Sequence, residues 1–359
     1  MNTTTYAERR DKLRTKMNQA ELGWLLVSHA ANRFYLSGFE LHDPQCNESS
    51  GLLLLGPDPE GKQDWLLTDP RYHEEAKRHW PEERVFIYSG KKDEVIRDFL
   101  ADSTDSPMGF EAKSIHVDFH TTLSESLELK PTSGLVEDLR LIKDTEEISA
   151  MRRSCKLNHD VFARVPEFLV PGRTEKQVAW DIEKTFREMG AEELAFSTIV
   201  AVAGNGALPH AIPGQTKIEA QCPVLVDMGA RLGDYCSDQT RTFWVGENPP
   251  DYFQRTLDQV CEAQEAAMAV MQPGLPVRDA YLEARASFEK HGVEQHFTHA
   301  LGHGIGLETH EPPSLSTVSE QTLKPGMVVT VEPGLYYPEW GGVRWEYMVL
   351  VTETGVEPL

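Results

Sequence analysis

Two twenty-residue stretches of this chain are built alike: PGRTEKQVAWDIEKTFREMG, Pro171 to Gly190, and PGLPVRDAYLEARASFEKHG, Pro273 to Gly292. Both open on Pro-Gly, both close on Gly, and Phe186 and Phe288 stand at the same step in each. Each is preceded by an amphipathic helix, over 144–165 and 251–271, the second with Phe253, Leu257, Val260, Cys261, Ala267 and Met268 on one face. Each is followed by a segment ending in a lone histidine, His210 or His310, and then by a strand pair. A chain that repeats helix, helix and strands in this way is expected to fold as two similar halves packed about a pseudo-twofold.

The repeat matters because each half delivers two acids on the same kind of element. PVLVDMGARLGDYCSDQTRTFWVG reads as a strand, a Gly-containing turn and a second strand, with Asp227 ending one arm and Asp238 starting the other. MVVTVEPGLYYPEWGGVRWEYMVLV repeats the scheme with Glu332 and Glu346. Carboxylates in apolar strands are costly to bury without a cation or hydrogen-bond donors. Near them in sequence lies GHGIGLETHEPP, residues 302 to 313. Its glycines let the backbone around His303 approach something closely, and His310, seven residues on, can return to the same place.

Four carboxylates and an imidazole are too many ligands for one tetrahedral zinc and too rich in oxygen for a thiolate-type site. They suit two divalent ions about 3.5 Å apart, bridged by carboxylates, which turn a bridging water into hydroxide near neutral pH and polarise the carbonyl it attacks. The reaction implied is hydrolysis.

The first part of the chain has a different texture. Up to about residue 135, short apolar runs (Leu22 to Val27, Leu52 to Leu55, Trp65 to Leu67, Val85 to Tyr88, Ile115 to Phe119) alternate with polar stretches that read as helices, such as Pro70 to His79 and Lys92 to Ala101. This is the pattern of an α/β layered domain. Histidines in this part, among them His29, His42, His73, His116 and His120, are dispersed and read as surface or packing residues. Asp144 and Glu147 then form a D-x-x-E capping box that opens a new helix. The expected domains are therefore 1–139 and 140–359.

A net charge of −22 argues against a nucleic-acid backbone or an anionic membrane as partner. The N-terminal stretch is polar and helical in pattern, with no signal peptide, and the longest apolar runs are of strand length. Five scattered cysteines (Cys46, Cys155, Cys222, Cys236, Cys261) fit reduced thiols, so a cytoplasmic protein is expected. Cys236, two residues before Asp238, reads as a packing cysteine rather than a ligand.

The motifs NRFYLSGF (Asn32 to Phe39), VDMGA, YCSDQTRTF, GHGIGLETHE, VTVEPGLY and GVRWE occur in that order. With them the chain resembles the pita-bread-fold metallopeptidases related to aminopeptidase P, prolidase and creatinase, over nearly its whole length. The resemblance implies an α/β and α+β protein: a creatinase-like N-terminal α/β domain followed by a pseudo-twofold pita-bread catalytic domain. It implies Asp227, Asp238, His303, Glu332 and Glu346 as ligands of two divalent ions, manganese first, with cobalt, zinc or iron as alternatives. His210 and His310 would steady the substrate and the tetrahedral intermediate. His299 would be a further active-site histidine, Arg344 would lie at the floor of the site, and Glu332 would also shuttle a proton. The substrate implied is a small peptide with proline second, cleaved by an Xaa-Pro aminopeptidase or dipeptidase, and the assembly a homodimer. Trp345 and Tyr347 depart from the family's R-I-E-D, and Gln239 stands where an apolar residue is common. Two other readings stay open: a lyase or hydrolase of a small non-peptide carboxylate on the same metal scaffold, and a non-catalytic binding protein.

Overall fold

The computed structural model describes residues 3–45 and 48–359; Met1, Asn2, Cys46 and Asn47 lie outside the described residues. The chain divides into two compact units after Arg140.

The first unit is built on a six-stranded mixed sheet in the order Val85–Ile87, Trp65–Thr68, Gly51–Leu55, Trp24–Val27, Met108–Glu111, Leu129–Thr132. Its middle strands, WLLV and GLLLL, are buried at every position, which is why they read as continuous apolar runs rather than alternating ones. The stretches expected as helices form Pro70–Tyr72 with His73–His79, and Lys92–Ser103. One expectation is corrected: the apolar run from Ile115 to Phe119 is not a strand, because Val117–Ser124 is helical. The strand place goes to Met108–Glu111, which pairs in parallel with both Trp24–Val27 and Leu129–Thr132. Ile115 and Phe119 pack against the core of this unit while Val117 between them is 78% exposed, so the contacts follow a four-residue spacing and not the alternation of a strand.

The second unit carries the repeat. Asp144 caps the Thr145–Phe162 helix: its carboxylate accepts from Glu147 N at 2.9 Å, and the Glu147 carboxylate accepts from Asp144 N at 3.0 Å. The twin stretches become the helices Glu175–Glu188 and Val277–His291, and their entry turns are anchored alike. Gly172 N donates to Ile218 O and Gly274 N to Leu323 O, both at 2.8 Å, while Thr174 bridges Lys217 and Pro276 bridges Thr322. Phe186 and Phe288 are fully buried in separate cores, one for each half.

Each half has its own antiparallel sheet. The first runs Gln239–Val245, Cys222–Met228, Ile199–Val202, and the second Glu311–Ser314, His303–Gly304, Val328–Val331, Tyr347–Val351, Val356–Pro358. The expected hairpins form with a refinement. Between its two arms each one leaves the sheet to make a small ribbon, Ala230–Leu232 with Tyr235–Cys236 in the first half and Gly334–Tyr337 with Gly341–Arg344 in the second. Asp238 and Glu346 occupy the step where ribbon rejoins arm, outside the regular ladder. The halves are joined there: Glu346 N donates to Thr240 O at 3.2 Å and Arg344 N to Thr242 Oγ1 at 3.2 Å.

Among the described residues no helix is long and apolar enough to cross a membrane, and Cys155, Cys222, Cys236 and Cys261 are free thiols.

Candidate metal and catalytic site

The acids reach one place because strand order puts them there. Asp227 lies near the end of the buried Cys222–Met228 strand, in register with Thr240 on one side and Ile199 on the other. Glu332 follows the Val328–Val331 strand directly, and its amide donates to Leu301 O at 2.8 Å. His303 sits on the short strand beside it, and its neighbouring glycines have a concrete purpose. A Cβ at Gly302 would lie 2.0 Å from Thr330 O, and one at Gly304 2.1 Å from Pro312 O. Only glycine lets the backbone carry His303 between those two carbonyls.

Ligand atoms of Asp227, Asp238 and Glu346 all lie within 4.8 Å of one another, and all three residues are buried. His303 Nε2 adjoins them, 3.8 Å from Asp238 Oδ2 and 3.4 Å from Glu332 Oε1. The other ring nitrogen, Nδ1, lies 3.0 Å from Gly304 O. A carbonyl can only accept, so the proton is on Nδ1 and the Nε2 lone pair faces the carboxylates. That is the tautomer a metal-ligating histidine needs.

Electrostatically the cluster is incomplete without cations. Burial and the neighbouring Glu346 hold the Asp238 carboxyl well above the usual carboxylate range, and burial with Glu332 and Asp227 does the same to Glu346. Burial pushes Glu332 up to about 7. Asp227 Oδ1 and Glu346 Oε1 are buried with no hydrogen-bond partner among the described residues. Orphaned carboxylate oxygens in so tight a cluster of acids, with an imidazole lone pair beside it, fit divalent cations bound through oxygen and nitrogen.

One cation of the chain enters the cluster. Arg344 donates from Nη2 to Asp227 Oδ2 at 2.7 Å, from Nε to Thr240 Oγ1 at 3.1 Å, and from Nη1 to Tyr336 OH at 3.0 Å and Pro209 O at 3.1 Å. Burial works against its charge, but Tyr336, Asp227 and Glu332 outweigh it. Tyr336 in turn donates to His299 Nε2 at 2.8 Å, and His299 Nδ1 donates to Ala300 O at 2.7 Å. Arginine only donates and a carbonyl only accepts, so every proton in this chain of bonds is fixed. Burial takes His299 down to about 4, so its ring is neutral at pH 7.

The cluster opens on a cavity of about 850 Å3. His210, from the first half, and His310, from the second, are solvent-exposed on its wall, and the His310 ring centroid lies 4.3 Å from that of His303. His299 and Arg344 line it as well. All nine residues singled out in the sequence thus gather at this place.

Cys236 lies apart, buried with its Sγ 3.8 Å from Thr309 Oγ1 and 3.9 Å from Leu307 O, and burial takes its thiol up to about 11. Trp345 and Tyr347 do not line the cavity. They stack on Arg241, whose guanidinium carbon is 4.2 Å and 4.5 Å from their ring centres. Thr240 and Tyr336 belong to the site without having stood out in the sequence. Thr240 has a signal, since Thr240 and Thr242 alternate along the strand that starts directly after Asp238. Tyr336 has none, because its place depends on the ribbon.

Known proteins resemble this chain over most of its length. The creatinase/prolidase N-terminal domain family matches residues 9–142 and metallopeptidase family M24 residues 149–353. An uncharacterised peptidase of Bacillus subtilis is 35% identical over 96% of this chain and 95% of its own length. An Xaa-Pro dipeptidase of Pyrococcus furiosus is 32% identical over 98% of this chain and 97% of its own. The solved structure of an Xaa-Pro dipeptidase from Bacillus anthracis superposes with a TM-score of 0.90 at 33% identity, covering 99% of this chain and 97% of that one. With its paired acids, its histidine loop and its N-terminal unit all in that order, the chain belongs to metallopeptidase family M24.

Proposed function

We propose that this protein is a metal-dependent Xaa-Pro peptidase, hydrolysing the bond between an N-terminal residue and a following proline. The observation that carries the reading is the convergence of Asp227, Asp238, Glu332, Glu346 and His303 Nε2 at the base of a cavity, with buried carboxylate oxygens lacking any partner among the described residues. These five residues would hold two divalent ions. When bound, such a pair supplies Lewis-acid activation of water and of the scissile carbonyl. Manganese is the first candidate, because carboxylate-rich sites suit it.

The chain's own residues account for the rest. His310 and His210 stand on opposite halves, placed to donate to a carbonyl oxygen as it gains charge. Glu332 Oε1 accepts from Thr330 Oγ1 at 3.1 Å, which leaves Oε2 to take a proton and return it to the leaving nitrogen. Arg344 holds Asp227 and the Pro209 carbonyl, and so sets His210 relative to the acids. The relatives support the substrate class, since two of them are named Xaa-Pro dipeptidases.

We further propose a homodimer, as the family resemblance implies, and a reducing cytoplasm, which the free thiols support. Light scattering checks the first. The central test is elemental analysis of natively purified protein together with an Xaa-Pro panel and matched peptides lacking proline. Metal-replete protein that ignores the proline peptides overturns the proposal.

A further inference from the structure

We propose that the cavity is built for peptides that continue beyond the proline, with an apolar residue third, in preference to free Xaa-Pro dipeptides. This rests on reading the site as an Xaa-Pro peptidase.

A dipeptide presents a free carboxylate one residue beyond the scissile bond, and a charge placed in a cavity needs a partner there. Among the described residues lining this cavity, Arg344 is the one lysine or arginine. It is spent: its bonds to Thr240, Tyr336, Pro209 and Asp227 engage all three of its nitrogens. Lys143, buried behind the histidine loop, faces Glu311 Oε2 at 3.4 Å. The other lining side chains of fixed charge are acids: Asp227, Asp238, Glu311 and Glu332. Two divalent ions would offset the four negative charges of Asp227, Asp238, Glu332 and Glu346, and the one charge left over is that of Arg344, held at the floor with its nitrogens already bonded to four acceptors. A dipeptide's terminal carboxylate finds no free counter-charge, whereas a peptide amide at the same position asks for none.

The rim of the cavity suits an apolar residue after that amide. The loop bearing His210 turns Ile212 outward at 89% exposure, with Pro213 next to it, and both line the cavity. Leu208, on the same loop, is 58% exposed. Large apolar side chains held open to water at the rim of a pocket favour an apolar group that covers them. At about 850 Å3 the cavity stands in the upper part of the ~300–1,000 Å3 range of small-molecule sites, with room past a dipeptide.

The test compares kcat/KM of the full-length, metal-loaded protein on Ala-Pro, Ala-Pro-amide, Ala-Pro-Leu and Ala-Pro-Asp. Ala-Pro-amide is expected to exceed Ala-Pro by at least tenfold, and Ala-Pro-Leu to exceed Ala-Pro-Asp. Ile212→Ser should raise KM for Ala-Pro-Leu, and Ile212→Arg, which supplies the missing cation, should narrow the gap between Ala-Pro and its amide. If Ala-Pro is cleaved as efficiently as its amide, the inference fails while the peptidase reading stands. If no proline peptide is cleaved, the peptidase reading fails and takes the inference with it.

Discussion

Arg344 Nη2 donates to Asp227 Oδ2 at 2.7 Å, joining the second half of the repeat to the first at the floor of the acid cluster. Both side chains are buried, and the remaining guanidinium bonds hold Thr240, Tyr336 and Pro209 O. Removing one partner of a buried ion pair strands the other, at a cost of about 3–5 kcal/mol. Arg344→Met should therefore lower the unfolding free energy of the metal-free protein by an amount of that order, as measured by urea denaturation. Arg344→Lys should recover only part of it, since an ammonium cannot reach all four acceptors at once.

Metal and turnover should separate by residue. Asp238→Ala and Glu346→Ala each remove a member of the three-carboxylate group, and bound metal and activity should fall together. His310→Ala removes an exposed ring beside His303 and should leave metal content intact while lowering kcat. Elemental analysis and kinetics on each variant decide this; full activity in the Asp238 variant would falsify a centre that depends on that carboxylate.

Much of this site was legible in the sequence because the repeat converts distance along the chain into proximity. Asp227 and Glu332 stand at matching steps of two strands, and Asp238 and Glu346 at matching returns of two ribbons. What stayed hidden depends on side-chain direction across the junction of the halves. Tyr336 gives no local sign that its hydroxyl links Arg344 to His299. Trp345 and Tyr347 flank Glu346 in sequence and so suggested an altered site, yet strand alternation turns them away from the cavity and onto Arg241. In the first unit, alternation misled at Ile115 to Phe119, where the period was present without a sheet position to fill.

The metal-free protein should lose stability as pH rises. Burial places Glu332 near 7 in the folded state, above its ordinary 4.5, and Asp238 and Glu346 are raised as well. Between their unfolded and folded pKa values these three acids hold protons that the unfolded chain has lost, so their contribution is fullest below about pH 4.5 and falls as pH climbs through 7, while His299, held near 4, works the other way up to its ordinary 6.5 and offsets part of that loss. Glu332 alone accounts for at most about 3 kcal/mol. Thermal melts of chelator-treated protein should show a lower Tm at pH 8 than at pH 5.5. Divalent ions should reverse that slope, since they take the place of the protons.

Thr240 should matter to metal affinity without touching metal. Its hydroxyl donates to Glu346 Oε2 at 2.8 Å and accepts from Arg344 Nε at 3.1 Å, so it aims one ligand and ties it to the arginine beneath. Thr240→Val keeps the shape and β-branching of the strand while deleting both bonds. Losing a group that orients a ligand typically costs 10- to 100-fold in metal affinity. The variant should keep its fold by circular dichroism, bind manganese at least about tenfold more weakly in a chelator competition, and regain activity at high metal concentration. Thr240→Ser, which retains the hydroxyl, should restore affinity to near that of the unchanged protein. If valine and serine weaken binding equally, the effect comes from strand packing and not from the hydroxyl.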